Sequence, residues 1–234
     1  MLCDLLAATG CAGVPNSHFH RPDCGAWLKS FGLSRDDFTT ETDALAAVFR
    51  AAIIRGTGST GLFGLRLQRD SFGFFMDKLS RLHPGLPDDR ARIEAAFGRT
   101  HFLHLSRNDK LDQAISLVMA RQTGLWHRAT DGSERERLAP PDAPRFDADL
   151  IGAAHDDLRA QDNRWVSWFR AQNIAPMTIS YDALATDPQG ELAKVLSCLG
   201  RDPARAAHAW PGVAKLADAT NRDWKRRYLA LRGN

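Results

Sequence analysis

The sequence predicts an α/β fold in which helices alternate with short strands and cover both faces of a mostly parallel sheet. Three observations carry that expectation. Two short apolar runs, "THFLHLS" at 100–106 and "APMTISYDAL" at 175–184, each lead into a helix-period pattern. Amphipathic segments with capping residues separate them. The chain of 234 residues, 44% hydrophobic and 25% charged, is long enough to bury a sizeable core as one domain spanning 1–234.

The elements follow in order. Residues 1–10, "MLCDLLAATG", place Leu2, Leu5 and Leu6 on one helical face, with Gly10 where a left-handed cap belongs. No capping residue or turn precedes this helix, which leaves its first amides unpaired. "TETDALAAVFRAAIIR" at 40–55 reads as a helix capped by Thr40, with Leu45, Val48 and Ile53 along one side. Gly56, Gly58 and Gly61 then match G-x-G-x-x-G letter for letter. A dinucleotide fingerprint needs a strand before it and a helix after it, and here a helix precedes and "LFGLRL" follows. Residues 56–61 are therefore read as a flexible turn into a strand over 62–67.

Helices are expected over 71–82 and 88–97. The clearest strand-turn-helix lies at 100–126: Phe102, Leu103 and Leu105 supply the strand, and Asn108 or Asp109 starts a helix that buries Leu111, Ile115 and Val118. Residues 127–146 are polar and Pro-rich and form a surface excursion or lid. A long helix over 147–172 packs Trp165, Trp168 and Phe169. After the strand at 175–184, Leu192, Val195, Leu196 and Leu199 mark a helix that Gly200 stops.

Charge and composition exclude several functions. A net charge of +3 with a pI near 8.8 is too mild for a nucleic-acid partner. The run Lys225-Arg226-Arg227 between Trp224 and Tyr228 can neutralise a nucleotide or form a solvated helix face. No apolar run reaches membrane length and no basic region precedes an apolar stretch at the start, so a cytoplasmic location is expected. Cys3, Cys11, Cys24 and Cys198 form no C-x-x-C pair, which points to reduced thiols and no metal site. The G-x-x-x-x-G-K-[ST] signature of a P-loop kinase is absent.

Chemistry concentrates at the turn after 102–106. Ligands of an open parallel sheet sit beyond the carboxyl ends of its strands, where Arg107 falls. Ser116 lies on the helix leaving that turn. An arginine and a helix hydroxyl can grip one phosphate by charge-assisted hydrogen bonds, although an exposed Ser and a structural Arg are the plain alternatives.

"LHLSRNDKLDQAISLVMARQTGLW" together with "ISYDALATDPQGELAKVLSCLG" resembles the sulfotransferase superfamily. "MLCDLLAATGCAGVPNSHF" and "KLADATNRDWKRRY" narrow the resemblance to the bacterial trehalose-sulfotransferase-like family, over nearly the whole chain. The resemblance implies a three-layer α/β/α, P-loop-NTPase-like fold. It implies 3′-phosphoadenosine 5′-phosphosulfate as donor, no metal, and an acceptor hydroxyl on a sugar, glycolipid or similar metabolite. Arg107 and Ser116 are expected to bind the donor's 3′-phosphate. Lys215, Thr220, Asn221 and Trp224 match a segment that closes over the nucleotide, and Arg66 is placed to reach the transferring group. A homodimer is also implied.

Two departures accompany the resemblance. The family carries a strand and an Arg-Ser-Gly-Ser-Thr phosphosulfate loop ahead of a helix like 2–9, and both are missing here. The expectations are a start codon assigned too late or, alternatively, an inactive nucleotide-binding protein. The family's glutamate base corresponds to Ser17, which cannot serve alone as a base. His18 and His20 lie beside it with pKa values suited to proton transfer, or are packed and surface histidines, and trehalose itself as acceptor comes into question.

Overall fold

In a computed structural model, the structure describes residues 1–128, 131–210, 212 and 219–233. Lys215, expected at the nucleotide, lies outside the described residues. The chain forms α1 (Leu2–Ala8), α2 (Cys24–Ser30), α3 (Glu41–Thr57), α4 (Arg69–Leu82), α5 (Asp89–Phe97), β1 (Leu103–Ser106) and α6 (Lys110–Thr123). After these come β2 (Leu125–Arg128), β3 (Glu134–Arg137), α7 (Ala148–Ala171), β4 (Met177–Ser180), α8 (Tyr181–Thr186), α9 (Pro188–Cys198) and α10 (Ala219–Arg232).

Caps set most helix starts where the sequence places them. Thr40 accepts a hydrogen bond from the Asp43 amide, and Asp88, Asp109 and Asp147 do the same for α5, α6 and α7. Each of these satisfies an amide that the first turn would otherwise leave unpaired.

The sheet is smaller than expected. β1 and β4 pair in parallel, Leu103 opposite Met177 through Ser106 opposite Ser180, and β2 and β3 form a separate antiparallel hairpin. Helices and a small parallel pair of strands together make the α/β architecture of the described residues. The strand expected over 62–67 reduces to a single parallel bridge between Asn16 and Leu65. Pro15, next to Asn16, offers no amide to extend the ladder on that side, and its ring lies against Gly64. The strand expected at 175–184 stops at Ser180, whose hydroxyl accepts from the Ala183 amide and starts α8.

Three apolar clusters hold the elements. Phe19, Trp27, Phe49, Phe72 and Phe75 pack α2, α3 and α4 together, with Phe19 stacked on Phe49 at 4.7 Å. Leu5, Ile179, Leu184, Leu192 and Leu196 join α1, β4, α8 and α9. Ile115, Val118, Ile151 and Trp224 join α6, α7 and α10. The glycine run ends α3 rather than holding phosphate. Gly56 is buried within the helix, Gly58 and Gly61 adopt positive φ, and the Gly56 carbonyl accepts from Val14 and Gly64. The hairpin β2–β3 opens the polar segment 127–146, and Trp126 lies half-buried in β2.

Candidate active site

β1 delivers its last residues to a turn that α6 begins, and Arg107 stands between them with its side chain 11% exposed. The guanidinium lies over the Tyr181 ring at 5.1 Å and 3.7 Å from the Asp112 carboxylate. Its Nε is buried without a partner. Arg107 is therefore held in place with its charge only loosely matched.

α10 packs across this turn. Lys225 donates to Asp109 and approaches Asp112 at 3.0 Å. Burial opposes ionisation of Asp109, but the Asp112 amide and Lys225 outweigh it and hold the carboxyl below its ordinary range. The hydrogen bond to Asp109 in turn raises Lys225. Asp112 and Ser116 are one helical turn apart on α6, as are Asn221 and Lys225 on α10. Asn221 Nδ2 donates to the Ser116 hydroxyl at 3.2 Å, so 116 faces 221 and 112 faces 225 across antiparallel helices. Thr220 lies half-buried beside Asn221 in the first turn of α10. Trp224, 3% exposed and edge-on to Phe146, fixes α10 in the core and presents no ring face outward.

A second network braces the same turn. The Ser106 hydroxyl donates to Asp162 of α7 at 3.1 Å, Lys110 donates to Ser106 at 2.9 Å, and Lys110 pairs with Asp162 at 3.2 Å. His104 Nε2 stands 3.4 Å from the same carboxylate. These residues lock β1, α6 and α7 together at the carboxyl end of the strand. Sequence reading missed them because Asp162 meets Ser106 across 56 residues, with no local motif to announce the pairing.

The residues expected at the acceptor gather elsewhere. Fully buried Phe19 anchors the turn carrying Ser17, His18 and His20. Ser17 accepts from Gln68 Nε2 at 2.8 Å. His18 packs against Phe31 with ring centroids 5.6 Å apart, and its Nε2 is buried without a partner. Burial, with Arg55 nearby, lowers its pKa, so the imidazole is neutral at neutral pH. His20 is exposed. Arg66 is also exposed; its amide donates to the Asn16 carbonyl, and its charge acts on the Cys3 thiol of α1. The structure thus brings Ser116 to Asn221, and Arg107 to the Asp112–Lys225 cluster. It brings Ser17, through Gln68, to the start of α4. α7 runs between the groups, with Asp162 at the Arg107 turn and Trp165, one turn on, at α4.

A cavity of about 180 Å³ lies at the opposite, amino ends of β1 and β4, lined by residues including Arg90, Thr100, His101 and Met177. Ligands of parallel sheets bind beyond the carboxyl ends, which favours the Arg107 side as the reactive one. Among the described residues no group of His, Cys, Asp and Glu could hold a metal ion, and no helix is long and apolar enough to cross a membrane.

Comparison with known proteins shows the family. The chain is 28% identical over 249 residues to a trehalose 2-sulfotransferase of Mycobacterium tuberculosis, covering 98% of this chain and 90% of that protein. A trehalose 2-sulfotransferase of Mycolicibacterium smegmatis is 30% identical over 126 residues, 54% of this chain and 44% of that protein. The model of the Stf0 sulphotransferase family matches residues 1–230, and the chain belongs to that family.

Proposed function

We propose that the protein moves a sulfuryl group from 3′-phosphoadenosine 5′-phosphosulfate to a hydroxyl of a sugar, glycolipid or similar small molecule. The observation that carries this reading is the pairing of Ser116 with Asn221 beside a loosely matched Arg107 at the carboxyl end of β1, in a chain of the sulphotransferase family. The unpartnered Arg107 Nε and the Ser116 hydroxyl fit a phosphate, which accepts hydrogen bonds from both. The donor supplies an activated sulfuryl group, and both relatives are named for a sugar acceptor.

The chain's own residues then divide the work. Arg107 and Ser116 hold the 3′-phosphate, and Asn221 orients the Ser116 hydroxyl. Lys225 keeps Asp109 and Asp112 neutralised, so that Arg107 remains available. Ser17, fixed by Gln68, hydrogen-bonds the acceptor. His18, neutral at neutral pH, or the exposed His20 beside it takes the hydroxyl proton. Arg66 offsets charge growing on the transferring group.

Incubation with the 35S-labelled donor and a panel of sugars tests the reading. Label is expected in a sugar, with an equal amount of 3′-phosphoadenosine 5′-phosphate released. Release of inorganic sulfate alone, or no turnover by folded protein with any hydroxylated acceptor, would overturn it.

A further inference from the structure

Arg69 opens α4, directly after the glutamine that holds Ser17. Its guanidinium lies 5.4 Å from the Phe72 ring centroid and 5.5 Å from that of Trp165, so two aromatic faces fix its position. Its Nε is buried without a hydrogen-bond partner, and among the described residues Arg69 forms no ion pair. A second arginine, Arg164 of α7, faces it across a recess of about 230 Å³ lined by Arg69, Asp70 and Arg164. Arg164 is half-exposed and reaches only a distant contact with Asp157 at 3.8 Å.

Two like charges are thus held around one cavity. Burial and the repulsion from Arg164 both lower the Arg69 pKa, only partly countered by Asp70. Gln68, at the start of α4, gives the helix no side-chain cap and donates its Nε2 to Ser17. Asp70, itself exposed, also lines the recess, and its carboxylate offsets part of the positive charge there.

The geometry points to an oxyanion subsite: Arg69 and Arg164 receive a carboxylate, sulfate or phosphate carried by the acceptor whose hydroxyl meets Ser17. The inference rests on the acceptor role proposed for Ser17 and deepens it, replacing a neutral sugar with an anionic one. Ser17 and Arg69 are linked through Gln68, which hydrogen-bonds Ser17 at 2.8 Å and directly precedes Arg69. An oxyanion accepts from both guanidinium forks and relieves the repulsion between them.

The test compares methyl glucuronide and glucose 6-phosphate with neutral methyl glucoside, titrated calorimetrically into the full chain with 3′-phosphoadenosine 5′-phosphate present. At least one anionic sugar is expected to bind about tenfold or more tighter than the neutral one, with the preference shrinking at high salt. The carboxylate and phosphate arms distinguish which anion fits. Arg164→Gln, at an exposed position, is expected to remove most of that preference while the thermal midpoint stays near wild type. Arg69→Lys, which keeps the charge and the packed stem, is expected to weaken it. Equal binding of charged and neutral sugars, no binding of either, or a preference untouched in Arg164→Gln overturns the subsite. A sulfuryl-transfer assay on the same sugars separates the two claims. Anion preference without transfer would sink the sulfotransferase reading and leave the subsite standing, whereas transfer without preference would do the reverse.

Discussion

Arg107→Met removes a charge while keeping an apolar stem over Tyr181, and the structure bounds both of its effects. The fold loses a cation–aromatic contact at 5.1 Å, worth about 0.5–1 kcal/mol, and a long ion pair to Asp112 at 3.7 Å, worth up to about 1 kcal/mol. Asp112 keeps Lys225 at 3.0 Å, so no carboxylate is left stranded. A total of at most about 2 kcal/mol lowers the melting temperature by no more than about 4–8 °C for a chain of this size. Nucleotide binding suffers more. Loss of hydrogen bonds from a charged donor to phosphate costs about 1.5–3 kcal/mol, or roughly ten- to 150-fold in Kd. Calorimetric titration with 3′-phosphoadenosine 5′-phosphate measures the second effect, and adenosine 5′-phosphate provides the control without a 3′-phosphate. The substitution should abolish the difference between the two ligands. A Kd within about threefold of wild type, in protein that melts normally, would refute the assignment of Arg107 to the phosphate.

Other substitutions probe the surroundings. Asp109 has its pKa depressed in the fold, so its stabilising contribution is complete above the unfolded value near 3.8 and disappears as pH falls through the lower folded value; Asp109→Asn should flatten that acid limb in denaturant titrations. His18 is also depressed, so the unfolded chain protonates first. Stability should therefore drop as pH falls from about 6.5 to the folded value and level off below it, a slope that His18→Gln should erase. The acid limb of kcat/KM should likewise lie below pH 6.5, and the same variant should lose at least about tenfold in activity. Retained activity would make the histidine a bystander. Gly13→Ala places a Cβ 2.5 Å from the Leu62 carbonyl oxygen at a φ of +77°, and should cost on the order of 3 kcal/mol by chemical denaturation, well above an ordinary surface change.

The helices were legible wherever a cap and an apolar stripe coincide. Thr40, Asp88 and Asp109 each start the helix read from sequence, because capping acts over three residues. Strands were less legible. Apolar alternation at 62–67 marks a segment that is partly buried, but whether it pairs depends on Pro15, far away in sequence and lacking an amide. At 181–184 the apolar pattern suits a strand or a helix, and the Ser180 cap decides for the helix. Arg107 and Ser116 stood out because strand end and helix face are local features. Asp162 and Arg69 did not, since their meaning arises from partners that only the folded chain brings near. Trp224 shows the converse: beside a basic run it looked suited to a nucleotide base, yet its size made it the residue that α10 buries.

The most direct measurement is a crystal structure of the full chain with 3′-phosphoadenosine 5′-phosphate. The account predicts the 3′-phosphate oxygens within hydrogen-bond distance of the Arg107 guanidinium and the Ser116 hydroxyl, with the 5′-phosphate directed toward Arg66 and Ser17. A nucleotide seated instead in the cavity at the amino ends of β1 and β4, among Arg90, Thr100 and His101, would contradict it.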